Sequence, residues 1–393
     1  MEFRFTPEQE ALRQQLKDFF RQELPDDWHG SEAEVDSDEE WQFVRQFQKK
    51  LAARGWLVPH WPKQYGGADM GIMEQVIMRE ETAYHRAPQP DIFGVNMLGP
   101  VLTMFGSEEQ KRELLPPIAS ADVTWCQGYS EPEAGSDLAS LKTRAVRDGD
   151  DYVINGQKIY TTSAHRADWV FLLARTDPDA PKHKGISFLI APMNTPGITV
   201  QPIINIAGTH IFNEIFFEDV RVPATNLVGD ENRGWYVGAA LLDFERSNIS
   251  SAAASRRSLE ELVEYCREDR GDGKPPISDQ MVRNRLADIA IETELGRFLS
   301  YRVATMQARG EVPNMEASVA KAYHSELSQR IAQAGVQIMG LYGQVRPESK
   351  KWARLRGEFT ISYMMTLGMT IAGGTSEIMR NVIAWRGLDL PRG

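Results

Sequence analysis

Cysteine is scarce in this chain. Cys126 and Cys266 are the only two in 393 residues. That is too few for a disulfide framework and fits a reducing compartment, so a cytoplasmic protein is expected. Histidine is sparse too. The seven are scattered, with no helical pair and no cysteine pair beside them, so no metal site is expected. No apolar run is long enough to span a bilayer, and the start MEFRFTPEQE lacks a signal-peptide pattern, which argues against a membrane protein. Basic charge is in deficit, with 44 Lys and Arg against 55 Asp and Glu. A net charge of −11 excludes a nucleic-acid scaffold, which needs a basic face. What is present in ordinary amount is apolar residue, 42% of the chain, enough at this length for a large core in two or three domains.

The pattern along the chain changes twice. Thr6-Pro7-Glu8-Gln9 predicts a helix start, with a capping threonine, a first-turn proline and Gln three residues on. Leu12, Leu16, Phe19 and Phe20 follow at helical spacing. Ser37 to Glu40 repeats the capping pattern before Trp41, Val44, Phe47 and Leu51, and Gly55 closes that helix. Met73 to His85 and Ser107 to Leu115 read as helices, the second stopped by Pro116-Pro117. A β pattern then takes over. Trp169 to Arg175 is a near-continuous apolar run, and Ile186 to Ile190, Ile198 to Ile204 and Glu214 to Val222 read as further strands. Asp148-Gly149-Asp150-Asp151 marks a turn. Asn155-Gly156, between YVI and QKIYTT, predicts a two-residue hairpin. After Gly234 long helices return, at roughly 235–268, 279–309, 315–341 and 351–371. The expected fold class is α+β: an N-terminal all-helical domain over 1–121, a middle β domain over 122–234, and a C-terminal four-helix bundle over 235–393.

Between the first helices and the predicted hairpin lies the acidic loop Ser130-Glu131-Pro132-Glu133-Ala134-Gly135-Ser136-Asp137. Its small residues let a ligand approach the backbone closely. Taken together, this loop, the QKIYTTSA strand end and FLLAR after it resemble the flavin and thioester platform of the acyl-CoA dehydrogenase family. The helix, sheet, helix order over nearly the whole chain is also that family's architecture. The resemblance implies FAD as cofactor, an acyl-CoA thioester as substrate and an electron-transfer flavoprotein as acceptor. It implies that Gln127, Tyr129, Ser130, Tyr160 and Thr162 contact the flavin ring and that Ser136 contacts the CoA side of the thioester. Hydroxyl donors such as Ser130 and Thr162 suit the ring edge where reduced flavin gathers negative charge. Near the C-terminus, Ile371 to Arg380 (IAGGTSEIMR) is similar to the family's last flavin segment. There Gly374, Thr375 and Glu377 are implied on the cofactor side and Gly373 on the substrate side. Gln337 and Gly340 match positions that touch the flavin of a neighbouring subunit.

The family removes a proton from the α carbon and a hydride from the β carbon. Most relatives carry the catalytic carboxylate two residues before the threonine of the C-terminal segment, where this chain has Gly373. A smaller group, typified by isovaleryl-CoA dehydrogenase, carries it on a helix of the C-terminal domain. The matching stretch is Leu241 to Ser247, which assigns the base to Glu245. Leu241 and Ile249 lie four residues either side, so an apolar face is expected to raise its proton affinity. Asp243 and Arg246, three residues apart, are assigned to the substrate side.

One stretch departs from the family. Where relatives place an Arg and a Phe against the flavin's pyrophosphate and adenine, this chain has Asp269 and Asp272. A carboxylate facing a pyrophosphate is repulsive by about 1 kcal/mol at ~4 Å even in water. Either Arg270 substitutes, or another subunit completes the site, as in α2β2 assemblies of steroid side-chain enzymes. A homo-oligomer and such a hetero-oligomer both stay open. So do a non-catalytic partner subunit, an oxygen-using oxidase or monooxygenase of the same fold, and a CoA-binding protein without redox chemistry. The acyl pocket is expected along Asp91 to Gly106, where Gly94 and Gly99 read either as room for a bulky chain or as close helix packing.

Overall fold

The computed structural model describes residues 4–30, 37–241, 248–269 and 273–391. Five helices open the chain: α1 (Pro7–Glu23), α2 (Asp38–Ala52), α3 (Ile72–Tyr84), α4 (Gly99–Phe105) and α5 (Glu108–Ala119). Seven strands follow: β1 (Trp125–Gly128), β2 (Arg144–Asp148), β3 (Asp151–Thr162), β4 (Trp169–Arg175), β5 (Ile186–Pro192), β6 (Ile198–Ile204) and β7 (His210–Pro223). Six helices close it: α6 (Gly234–Leu241), α7 (Ile249–Arg267), α8 (Gln280–Ala308), α9 (Asn314–Met339), α10 (Glu358–Met369) and α11 (Ser376–Val382). No helix among the described residues is long and apolar enough to cross a membrane.

Packing gathers these elements into two compact units. A helical unit comprises Met1–Gly30, Gly71–Ala87 and Arg246–Gly393; a sheet unit comprises Ser31–Met70 and Pro88–Glu245.

In the helical unit, α1 begins as its sequence requires. Thr6 Oγ1 accepts from Gln9 N at 3.3 Å and Gln9 Oε1 accepts from Thr6 N at 3.0 Å, a reciprocal cap. Leu16, Phe19 and Phe20 form its buried face. Helices α7 to α10 make the four-helix core around Leu262, Cys266, Ile289, Leu327, Ile331 and Phe359. Two helix predictions need correction here. The run expected at 235–268 is two described helices, α6 and α7, and Asn248 before α7 is left-handed at φ 54°. The run expected from 351 begins at Glu358, after the 3-10 turn Arg354–Gly357.

In the sheet unit, β3 pairs antiparallel with β2 and β7, and β7 with β6. β4 pairs antiparallel with β5 and parallel with β1. The core is Tyr152, Ile154, Val170, Leu172, Leu189, Ile215 and Phe217, all buried. The expected hairpin at Asn155-Gly156 is wrong. β3 runs straight through it, and the bulge there lies on β7, where Glu218 and Asp219 (φ 48°) stand opposite Asn155 between the pairs Ile154–Val220 and Gly156–Phe217. The side chain of Asn155 donates to Asp219 Oδ1 at 3.0 Å and accepts from Asp219 N at 2.9 Å, so the polar group is satisfied across the sheet rather than in a turn. Glycine is required because a Cβ at 156 would lie 2.6 Å from Thr143 Oγ1. The true hairpin is at Asp148 to Asp151, where β2 meets β3. Likewise α5 does not stop at Pro116-Pro117. Near the helix end the missing N–H groups are tolerable, the two carbonyls accept from Ser120 N and Asp122 N at 2.9 and 2.8 Å, and buried Leu115 and Ile118 hold the turn.

Candidate active site

The sheet unit brings together the residues assigned to the flavin ring and thioester. β1 ends at Gly128, and the chain then passes Tyr129 and Ser130 beside the end of β3. Ile159 N donates to Ser130 O at 2.9 Å, and Lys158 Nζ donates to Tyr129 O at 3.1 Å. Gln127 is on β1, where its side-chain amide meets Met97 Sδ at 3.7 Å. Tyr160 and Thr162 lie at the other end of this contact. The β3–β7 register shifts between Lys158 and Thr161, so Tyr160 is the bulged residue. It has φ 57°, an outlier for an aromatic residue. The residue is 63% exposed, and its ring meets that of Phe212 edge-on at 6.3 Å between centroids. A strained, exposed aromatic at a bulge is a feature that points to a ligand face.

Ser136 is exposed on the acidic loop, and at neighbouring Gly135 an added Cβ would meet nothing within 4 Å. The loop is tied down by a feature the sequence reading missed. Glu131 is buried and Lys158 fully so, and the two form an ion pair at 2.8 Å. The lysine keeps the Glu131 carboxyl below its ordinary range against the opposing effect of burial. Burial lowers the Lys158 ammonium to about 8. The available signal was alternation: a lysine at an inward position of a strand whose inward neighbours are Tyr152 and Ile154.

Four buried polar groups of this unit, Trp125 Nε1, Tyr129 Oη, Thr161 Oγ1 and Arg166 Nε, have no partner among the described residues. Tyr129 Oη is enclosed beside Gly238 of α6, where an added Cβ would come within 2.8 Å of it, and burial pushes the phenol well up. The proposed acyl region reads differently from one of its two expectations. Ile92–Leu98 is a π-helix continuing into α4. A Cβ at Gly99 would lie 1.7 Å from Trp61 Cζ2, and one at Gly94 2.9 Å from Trp125 Cδ1. Both glycines are close-packing positions against tryptophan rings, not room for a ligand.

The helical unit holds the C-terminal set. Gly373 and Gly374 have φ 64° and 96°, and a Cβ at Gly373 would meet nothing, so the backbone turns through an open cradle. Lys321 of α9, also missed from sequence, donates to Gly374 O at 2.5 Å. Thr375 caps α11 by accepting from Ile378 N at 3.2 Å. Glu377 is in the first turn, its carboxyl held low by its own N–H and by the Thr375 hydroxyl. The buried Ser376 hydroxyl has no partner among the described residues. Gln337 and Gly340 end α9, both exposed. They lie about 24 Å along that helix from Lys321 at 1.5 Å per residue, so one chain does not bring them to the Gly373 loop. Glu245, Asp243 and Arg246 lie outside the described residues, as do Arg270 and Asp272. Asp269 is exposed and accepts from Gly273 N at 3.0 Å.

In the sheet unit, an outward aromatic on a bulge with the hydroxyl residues Ser130 and Thr162 on the same segments fits a flat, hydrogen-bonding cofactor; the helical unit by itself offers an open glycine turn and the unpartnered Ser376 hydroxyl. The chain matches family models along nearly all its length. They are the acyl-CoA dehydrogenase N-terminal domain over residues 6–122, middle domain over 126–220 and C-terminal domain over 232–388. It is 39% identical over 355 residues to the acyl-CoA dehydrogenase IpdE1 of Mycobacterium tuberculosis (strain ATCC 25618 / H37Rv), covering 88% of each chain. Among solved structures it resembles the Tcur3481-Tcur3483 steroid ACAD, at 36% identity and TM-score 0.91 with both chains fully covered. It also resembles the ChsE4-ChsE5 complex from Mycobacterium tuberculosis, at 35% identity and TM-score 0.90, again over both whole chains.

Proposed function

The chain belongs to the acyl-CoA dehydrogenase family, and we propose that it oxidises the Cα–Cβ bond of an acyl-CoA thioester to the trans-2-enoyl product with FAD. The observation that carries this reading is Tyr160, held exposed at a strained bulge beside Ser130 and Thr162. When bound, FAD supplies a two-electron acceptor for the β hydride, and an electron-transfer flavoprotein then receives the electrons. The chain's own residues do the rest. Tyr160 gives the ring a flat face, and Gln127, Tyr129, Ser130 and Thr162 offer polar groups at its edge. Ser136 and the Gly373 backbone hold the thioester, with Asp243 and Arg246 on the CoA side. Gly374, Thr375 and Glu377 hold the cofactor from the C-terminal segment. Glu245 takes the α proton, since Gly373 has no side chain to do so. Glu245→Gln is expected to retain FAD and lose turnover by roughly 10²- to 10⁴-fold. Near wild-type turnover with FAD retained would move the base elsewhere.

A second reading concerns assembly: this chain is the base-bearing subunit of a hetero-oligomer with a homologous chain. Asp269 and Asp272 in place of Arg and Phe favour it. So do exposed apolar rows on α8 (Ile291, Leu295, Phe298) and α10 (Tyr363, Leu367), which a neighbouring subunit would cover. Gln337 and Gly340 would then serve the neighbour's flavin. The name of one solved neighbour, the Tcur3481-Tcur3483 steroid ACAD, favours a steroid-derived acyl group, and the scarcity of cysteine favours a cytoplasmic setting. FAD per chain is the test. Full occupancy of the protein expressed alone would favour a homo-oligomer. Flavin appearing only on co-expression with a homologous subunit would establish the hetero-oligomer.

A further inference from the structure

The loop that presents Ser136 is closed by a single carboxylate. Glu131 Oε1 accepts from Thr143 N at 2.9 Å and from Lys158 Nζ at 2.8 Å, while Oε2 accepts from Lys142 N at 2.5 Å. Both ends of the Glu131–Thr143 segment therefore converge on one buried charge. The same Lys158 Nζ donates to Tyr129 O, next to the Ser130 carbonyl that accepts from Ile159 N. The loop's outward ties are of another kind. Lys142–Glu133 and Lys182–Asp137 are solvent-exposed pairs, which contribute little.

Replacing a buried ion pair by apolar groups of similar size is often neutral or stabilising, so its presence is weakly explained by stability alone. What this pair supplies is direction, because each of its hydrogen bonds fixes a backbone group of the platform. We propose that Glu131 and Lys158 are a positioning pair, which sets the Tyr129–Ser130 backbone on the cofactor side and the Ser136 loop on the thioester side together. This rests on the reading of the platform as an FAD and acyl-CoA site, and adds that the two contacts are mechanically coupled. Neither residue touches the reacting atoms. Arg175 of β4 and Lys142 also feel the Glu131 charge, and the Thr143 side chain joins Lys158 as a hydrogen-bond partner of its carboxylate.

The test compares the intact wild-type protein, with its partner subunit if FAD loading requires one, with Glu131→Gln, with Glu131→Leu/Lys158→Met, and with the control Lys142→Ala. Thermal midpoint, FAD dissociation constant, flavin visible spectrum, KM and kcat are measured for each. The double variant is expected to stay folded but with a lowered thermal midpoint, because Lys142 N, Thr143 N and Tyr129 O lose their partners, so binding and turnover are read well below that midpoint. Its FAD affinity should weaken and its KM rise, each on the order of 10- to 100-fold, as misplacement of positioning groups does, with a shifted visible band. Lys142→Ala should match the wild type in all of them. Glu131→Gln keeps the shape but leaves Lys158 without its counter-charge, so it should lower the thermal midpoint and, assayed below it, show the same paired losses, which preserves the test if the double variant fails to fold. Wild-type FAD affinity, spectrum and KM in the variants would overturn the pairing while leaving the proposed function intact. Losses in only one of the two affinities would overturn the coupling. A wild-type protein that takes up no FAD under any condition would overturn both.

Discussion

The sheet unit and the helical unit solve burial in different ways. In β4 and β5 nearly every side chain is hidden, with Val170, Phe171, Leu172, Phe188 and Leu189 all at 0% exposure. The strands are covered on both faces, so a near-continuous apolar run is consumed within one chain. In the helical unit, α8 buries one stripe and leaves other apolar residues in the open: Phe298 is 53% exposed and Ile291 61%, while Leu341, in the 3-10 turn after α9, is 83% exposed. A helix hides only the face it packs, so apolar residues on the opposite face need a further surface. The platform is thus finished by its own chain, while the bundle presents a surface that a neighbour would finish.

The largest effect that tests this contrast is leucine truncation. Leu172→Ala in β4 should cost about 2–5 kcal/mol in urea unfolding. Leu295→Ala on α8, at 51% exposure, should stay within about 0.5 kcal/mol, while Leu295→Glu should lower the assembled mass in light scattering. Equal stability losses at the two sites would break the comparison.

The units should also respond to acid with opposite sign. Burial raises Asp91 of the sheet unit from 3.8 to about 6, although Trp125 N and Phe93 N donate to its carboxylate. Its native form therefore holds a proton between pH 3.8 and 6 that the unfolded form has lost, so its contribution is lost as pH rises through that window. Burial lowers His324 of the helical unit from 6.5 to about 4, with Ser300 Oγ 2.9 Å from its Nε2. Here the unfolded form binds the extra proton, so stability is lost as pH falls from 6.5 to 4. Each contribution is worth up to about 3 kcal/mol across its window. Hydrogen exchange, corrected for intrinsic rates, should show the two slopes separately. Asp91→Asn should flatten the first and His324→Gln the second; slopes of one sign would refute the assignment.

The smallest effect concerns the strand opposite the β7 bulge. Gly156→Ala should cost about 1–3 kcal/mol, since the added methyl meets Thr143 at 2.6 Å. A neutral substitution would mean that the β2–β3 contact there gives way freely.

Much of the architecture was readable locally. The ends of β4 and β6 and the Thr6 cap fall where the residue pattern places them. The acidic loop and the C-terminal Gly-Gly-Thr stand out as expected ligand segments because they resemble the family's thioester and flavin segments. What was misread shares one cause. Asn155-Gly156 carries a turn preference, and only pairing with β7, whose Asp219 bonds the Asn155 side chain, keeps the pair inside a strand. Gly94 and Gly99 mark absent side chains, and only Trp125 and Trp61 decide whether the space is filled. The Glu131–Lys158 pair joins residues 27 apart, which no local period connects.

By itself, then, the amino-acid sequence determined the family, the helix, sheet, helix order and the identity of the chemical groups on offer, because these follow from local periodicity, turn preference and motif. Tertiary structure alone decided that Tyr160 is turned outward on a bulge, that one buried carboxylate closes the Ser136 loop, and that Gln337 stands far along α9 from the Gly373 cradle. Those outcomes depend on which distant segment meets which, and contacts between distant segments are set by the packing of whole surfaces.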